Sequence, residues 1–224
     1  IGPINQIQVS PERICSLRGI LFDFDPDILQ AGKLLLDVPV DPHELYAAVL
    51  RPMLNRHPVL AKAEVRNSGR GVHAILRFEP PVEFNTDGER EHWAGVVEVV
   101  QAALPIDPDQ PGISATTRAI GSINGKYGAE VTLLVEGEPV TKDEVLELYG
   151  EMIEIPFRTV MQIMTGDVAI EPCPFCKKDG TKLAALSHVG SCYGSCGNVK
   201  VERLYDLLLA PRDAGKEEVN HVAA

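Results

Sequence analysis

The sequence predicts an α+β fold, a sheet built from hairpins with helices packed on it, followed by a small cysteine-bound module near the C-terminal end. Apolar patterns of strand and helix type succeed one another in the order strand, helix, hairpin, helix, strand, helix. Hairpins among helices suit layered α+β packing better than a doubly wound parallel sheet. Two alternating segments, AKAEVRN and VHAILRF, are joined by Ser68-Gly69-Arg70-Gly71, a turn tight enough to make them antiparallel neighbours. Four of the five cysteines crowd between residues 173 and 196, which sets that segment apart.

Each element has a local reason. Residues 18–25 carry the run GILF into Asp23, Phe24 and Asp25, a strand with a buried face. Asp41 ahead of Pro42 supplies an N-cap and a proline at the first helical position, and HELYAAVLRPMLNRH keeps a helical period for roughly four turns. Thr86 to Leu104 is a second helix whose apolar positions include Trp93, Val96, Val97 and Val100, ended by Pro105. IDPDQPGIS is irregular, ATTRAIGSINGKYG reads as extended, and AEVTLLV reads as a strand. Thr141 and Glu144 in T-K-D-E form a capping box that opens the helix DEVLELYGEM. The expected organisation is a core over residues 1–170, a cysteine module over 171–210 and a flexible polar tail over 211–224.

Composition narrows the function classes. With 224 residues, 45% of them apolar and 24% charged, the chain can bury a sizeable core. No apolar run approaches the roughly 20 residues of a membrane span, and no basic-then-apolar leader opens the chain. It begins on Ile1, so a piece of a longer protein is expected. The net charge of −11 argues against a surface that grips nucleic acid all over, although a groove can still be locally basic. Paired cysteine spacing in one short segment points to a metal rather than to secreted disulfides, hence a reducing, cytoplasmic compartment. Cys15 is left over as a buried thiol.

Three segments carry candidate chemistry. Asp23 and Asp25, at i and i+2 of a strand, share a face and repel unless a cation sits between them. Hard ions such as Mg²⁺ or Mn²⁺ want such oxygen ligands, and with a third acid the pair would suit two-metal phosphoryl transfer. Alone, a D-x-D is more often an exposed strand end. In RNSGRGVHAILRF, the turn Ser68-Gly69-Arg70-Gly71 offers backbone N–H groups to an anion, and His73 begins the returning strand within reach of a phosphate. Alone, this is an ordinary hairpin. In TTRAIGSINGKYG, Arg118, Ser122, Asn124 and Lys126 would alternate onto one face of an extended stretch. Two cations with two short hydrogen-bonding groups suit a triphosphate or a nucleic-acid backbone, and a solvated strand with a glycine turn fits as well.

Taken together and in this order, a strand ending in D-x-D, then S-G-x-G-x-H, then an acid followed by R-x-x-G-S-x-N-x-K resembles the archaeo-eukaryotic primase (AEP) superfamily. The match is to the primase-polymerases of plasmids, phages and mobile elements, over about residues 18–135. The resemblance implies a two-layer catalytic core with an RRM-like sheet and two-metal nucleotidyl transfer. It assigns Asp23 and Asp25 to the metal-binding pair. His73, with Ser68 and Gly69 in its motif, falls to the incoming nucleotide's phosphates, and Arg118 and Lys126, with Ser122 and Asn124 between them, to the triphosphate. Asp107 matches the third metal-binding acid, with Asp109 as the competing choice. It also implies a single-stranded DNA template, NTPs or dNTPs as substrates, and a helicase domain or partner. Only 22 residues precede the first acid, fewer than in the family, so the N-terminal αβ unit is either truncated or reduced. The motif reads RAIGS where many relatives carry a proline before the glycine.

Cys173 and Cys176 in C-P-F-C, and Cys192 and Cys196 in C-Y-G-S-C, stand fifteen residues apart as pairs. Two short-spaced pairs are the pattern of a closed, structural Zn²⁺ site, with His188 as a lesser substitute ligand. Lys177, Lys178, Lys182, His188 and Lys200 against Asp179 make the module locally basic, either to touch the template or simply to cap the core. The leading function is thus a DNA primase or primase-polymerase. The alternatives are an inactive nucleic-acid-binding module with a zinc ribbon and, more remotely, a nuclease using the same carboxylates.

Overall fold

Alternation along the two longest strands sets the layering. The structure, a computed structural model, describes residues 10–32, 38–107 and 109–208. β1 (Ser16–Phe24) pairs antiparallel with β3 (Val72–Glu83), placing Ile20, Phe22 and Phe24 opposite Leu76, Ala74 and Val72. All six are buried, so this face is the core. The intervening positions put Asp23 opposite His73 and Leu21 opposite Ile75 on the other face. β2 (Glu64–Asn67) and β6 (Thr132–Val135) complete an antiparallel sheet in the order β1-β3-β2-β6.

Between these strands lie α1 (Pro26–Gly32) and a second helical run. That run, α2 (Pro42–Leu45), passes through a π-helical turn over Tyr46–Leu50 into α3 (Arg51–Asn55). Asp41 caps it by accepting from the His43 and Glu44 N–H groups. Pro52 lacks the N–H that an α-helix would use four residues back, and the wider turn just ahead of it accommodates that loss. α4 (Asp87–Gln101) lies on the core face, with Trp93 edge-on to Phe78 at 5.6 Å. Its Thr86 and Glu89 form a capping box that the sequence reading had not marked.

α5 (Lys142–Glu154) opens on the expected Thr141/Glu144 box. Glu144 also accepts from Lys62 Nζ at 2.5 Å, and that bond, with the cap, pulls its carboxyl down to about 2. A carboxyl depressed on folding stabilises the protein above its unfolded pKa, near 4.3, and loses that contribution as pH falls toward the folded value. Glu144→Gln keeps the box but removes the charge. The wild type's lead in melting temperature over this variant is therefore expected at neutral pH and should fade below roughly pH 4, as thermal melts across pH would record.

α6 (Pro156–Thr165) ends at Gly166, whose φ of 83° is the left-handed cap that glycine adopts freely. A second antiparallel sheet follows, in the order β10-β9-β8-β7. It is built from β7 (Ala169–Ile170), β8 (Leu183–Ala185), β9 (Val189–Cys192) and β10 (Gly197–Lys200), and α7 (Val201–Leu208) closes the described chain. The second sheet takes in Ala169 and Ile170, ahead of the 171 boundary drawn from sequence, because they pair with Leu183 and Ala184. It is docked on α6: the Phe157 N–H donates to Ser187 O, and a Cβ at Gly190 would lie 2.4 Å from the Phe157 ring. One hydrophobic cluster runs from Leu17 through Phe157 to Cys173, Leu183, Val199 and Leu204.

Four local readings need correction. Cys15 is exposed, not buried. The first strand ends at Phe24, because Pro26 cannot donate to a ladder and Asp25 instead caps α1, accepting from the Asp27 N–H. AEVTLLV is two strands, β5 (Ala129–Glu130) and β6, parted at the buried Val131. ATTRAIGSINGKYG is a folded pair of turns around β4 (Ile123–Asn124) rather than one extended stretch. The tail at 211–224 lies outside the described residues. Among the described residues no helix is long and apolar enough to cross a membrane.

Candidate functional site

The face of the first sheet turned away from the core carries a polar row across three strands. Arg66 of β2 and Asp23 of β1 flank His73 of the central β3. His73 is only 5% exposed; its Nε2 lies 3.5 Å from Asp23 Oδ1 and its Nδ1 2.7 Å from Thr117 Oγ1. Arg66 Nε meets Glu64 Oε1 at 2.5 Å, and its Nη1 donates to Arg118 O at 2.9 Å. Arg66 and Thr117 thus hold the 117–118 segment over this end of the sheet. The side chain of Asp23 is 39% exposed, so an otherwise buried strand presents one accessible carboxylate beside a fixed imidazole.

The acids expected to join it come to the same strand end by different routes. β1 is an edge strand, and its outer backbone groups would be unpaired without a neighbour. The segment after α4 supplies one: Asp107 N–H donates to Asp23 O at 3.0 Å, and Asp23 N–H donates to Gln110 Oε1 at 2.7 Å. Gln110 and Gln101 both donate to Leu21 O. Asp107 Oδ1 accepts from the Asp109 N–H, and Asp109 itself is exposed. Asp25 lies past the strand as the cap of α1. Among the described residues the three carboxylates do not form a group with oxygens mutually within 4.8 Å.

The two turns meet at Asn124. It is 3% exposed, its Nδ2 donates to Ser68 O at 2.7 Å, and its Oδ1 accepts from the Lys126 N–H at 3.1 Å. Gly69 has φ of 106° and approaches Asn124 so closely that a Cβ would come within 2.9 Å of it. Asn124 is therefore a latch between the turns, not a group facing a ligand. Ser122 likewise caps its own turn through Ala119 O, and the N–H groups of Ser68 and Gly69 are taken by Gly71 O and Asn67 Oδ1. Arg118 and Lys126 are exposed, Ser122 is half-buried and Asn124 is buried, so of the four alternating positions the two cations are the ones fully presented to solvent.

Sequence reasoning missed Thr117, Gln110 and the structural part of Asp25. The signal for Asp25 was present: Asp25-Pro26 repeats the cap-and-proline pattern recognised at Asp41-Pro42. Nothing local marks Gln110, whose bonds span 87 and 89 residues.

The four cysteines in and around the second sheet do converge. Their Sγ atoms all lie within 4.8 Å of one another, with Cys176 and Cys192 at 3.8 Å. A tetrahedron with Zn–S distances near 2.3 Å has S···S edges of about 3.8 Å, so the donor set and spacing fit Zn²⁺. The Thr181 hydroxyl and the Lys178 N–H hold the Cys176 thiol down at about 6, and the Cys196 and Gly194 N–H groups lower that of Cys192. Burial pushes Cys173 up, and burial with the neighbouring sulfurs pushes Cys196 up to about 12. His188 is exposed and stands outside the cluster.

No protein-family model and no curated protein matches the sequence. Among solved structures, the AEP domain of the primase-polymerase of cyanophage S-2L is similar at 18% identity and a TM-score of 0.41. The likeness covers 62% of this chain and 64% of that one, less than two thirds of its length. At that identity and score it carries no residue-level correspondence.

Proposed function

We propose that this chain is a template-dependent nucleotidyltransferase, a primase-polymerase joining NTPs or dNTPs on single-stranded DNA. One observation carries the reading: an accessible Asp23 paired across the ladder with a buried His73, with Asp107 tethered to Asp23, Asp25 two residues on, and Arg118 and Lys126 on adjacent turns. A 3′-hydroxyl would give up its proton to solvent as its oxygen bonds to the α-phosphorus of the incoming nucleotide, while the bond from that phosphorus to the αβ-bridging oxygen breaks and pyrophosphate leaves.

Asp23, Asp25 and Asp107 would have to draw together to supply the oxygen-only donor set that suits Mg²⁺ or Mn²⁺. When bound, such ions neutralise charge on the attacking and leaving oxygens. Where the Thr117 hydroxyl donates to Nδ1, the His73 proton stands on Nε2, facing Asp23 and any phosphate beside it; in the other tautomer Nδ1–H donates to Thr117. Arg118 and Lys126 would neutralise the triphosphate. In this reading residues 1–170 are the catalytic core, 171–210 the module stapled by structural Zn²⁺, the compartment is cytoplasmic, and a helicase domain or partner opens the template.

A second reading is favoured by the cap that engages Asp25 and by the dispersed carboxylates: a nucleic-acid-binding module with a zinc ribbon and no transfer activity. Metal-dependent binding of a nucleoside triphosphate separates the two. The deciding experiment is primer synthesis on single-stranded DNA with Mg²⁺ or Mn²⁺. Product from the wild type supports the enzyme. Nucleotide binding without product, or full activity in a variant lacking both Asp23 and Asp25 carboxylates, overturns it.

A further inference from the structure

We propose that Arg70, Lys126 and Tyr127 form a phosphate clamp, in which the tyrosine hydroxyl holds the two cations together and adds a third donor. It rests on reading these turns as a phosphate-binding region, and it adds two residues to which no role has been given. Arg70 comes from the β2–β3 turn and Lys126 and Tyr127 from the β4–β5 turn, which Asn124 and Gly69 lock together. The Arg70 guanidinium carbon lies 5.5 Å and Lys126 Nζ 5.0 Å from the centre of the Tyr127 ring, which is 38% exposed.

Both cations lie over the Tyr127 ring, where their donors can reach the phenol oxygen. A neutral phenol can accept two hydrogen bonds and still donate one, so guanidinium, ammonium and hydroxyl present donors from one small surface. The nearby acids offer weak competition. Asp27 of α1 pairs with Arg70, but both side chains are well exposed, and such pairs contribute little. Asp25 reaches Lys126 only through space. A phosphate, with two charges and three acceptor oxygens, matches the three donors better than one carboxylate does.

This arrangement is sensitive to alkali. The neighbouring Lys126, with Arg70, holds the Tyr127 hydroxyl below the usual phenol value, whereas Lys126 is held above its own. As pH rises, Tyr127 therefore loses its proton first, turning a donor into a negative charge while both cations persist. Phosphate affinity should fall in the range where the phenol ionises. A tyrosine that only packed between the turns would give no such dependence.

The test is calorimetric titration of the zinc-loaded full chain with sodium tripolyphosphate and, separately, with a single-stranded oligodeoxynucleotide, at several pH values from 7.5 to 10. Wild type, Arg70→Gln and Tyr127→Phe are compared, with thermal melts as the folding control. Expected is tripolyphosphate binding about tenfold weaker in either variant at neutral pH, and an alkaline decline in the wild type that Tyr127→Phe lacks. If the oligonucleotide alone shows this pattern, the clamp stands and the phosphate belongs to a strand. Variants that bind like the wild type at every pH overturn the clamp while the site reading survives. A folded wild type that binds neither probe overturns both.

Discussion

Cys192→Ser is expected to abolish stoichiometric zinc binding and to unfold the second sheet while leaving the first in place. Cys192 is 6% exposed, pairs with Leu183 and Gly197 in the ladder, and its sulfur accepts from the Gly194 N–H. The strands around it span two to four residues each, and the fully buried apolar side chains they supply are essentially Leu183 and Val199. So small an apolar set cannot hold four short strands. Structural zinc contributes on the order of 10 kcal/mol at neutral pH, comparable to the whole stability of a domain. Metal analysis should therefore fall from one zinc per chain to none. Hydrogen exchange should lose protection across 169–200 and along the Phe157 side of α6, with β1 and β3 still protected. A strong chelator should reproduce this in the wild type. A serine variant that keeps its zinc and its exchange pattern would show that the four thiols do not act as one site.

What the sequence made legible was whatever a few neighbouring residues decide. The Ser68–Gly71 hairpin, the Asp41 and Thr141 caps and the buried-faced strand running from GILF into Asp23 are each specified within a turn or two of chain, and all appear in the structure. The cysteine site was legible for a similar reason, since each pair shares a turn and only one loop has to close. The extended reading of 115–128 failed because Gly121 and Gly128 take φ of 82° and 68°, positions that break a strand. Alternation was thus applied where no pleat exists. Two of the four polar groups read as ligand-facing went to holding turns together.

The candidate site was legible as residue types but not as geometry. Asp23 and His73 are fifty residues apart in sequence, and only the β1–β3 register makes them partners. Thr117, which orients the imidazole, and Gln110, which completes the free edge of β1, act through contacts that no local pattern encodes. Asp25 shows how one residue can satisfy two readings: the same Asp-Pro step that ends a strand beside an acidic pair also begins a helix. Which role dominates is a matter of chemistry rather than of position.

If the chain is the nucleotidyltransferase proposed above, replacement of Asp23 by asparagine is expected to lower transfer by about 10³, since a preorganised charge at the reacting phosphate is worth about that much when removed. Folding should hardly change, because the side chain is 39% exposed and the amide keeps its shape. Affinity for a nucleoside triphosphate without metal should persist through Arg118 and Lys126, while the Mg²⁺- or Mn²⁺-dependent increment disappears. An asparagine variant with wild-type transfer would remove Asp23 from the mechanism. At position 25 the choice of substitute matters more. Alanine would take away the α1 cap along with the carboxylate, at about 1 kcal/mol, whereas asparagine caps as well as aspartate does. Asp25→Asn therefore separates the two roles. Loss of transfer at unchanged melting temperature would make the carboxylate a metal ligand, and full transfer would assign Asp25 to the cap alone and leave Asp23 and Asp107 as the acids of the site.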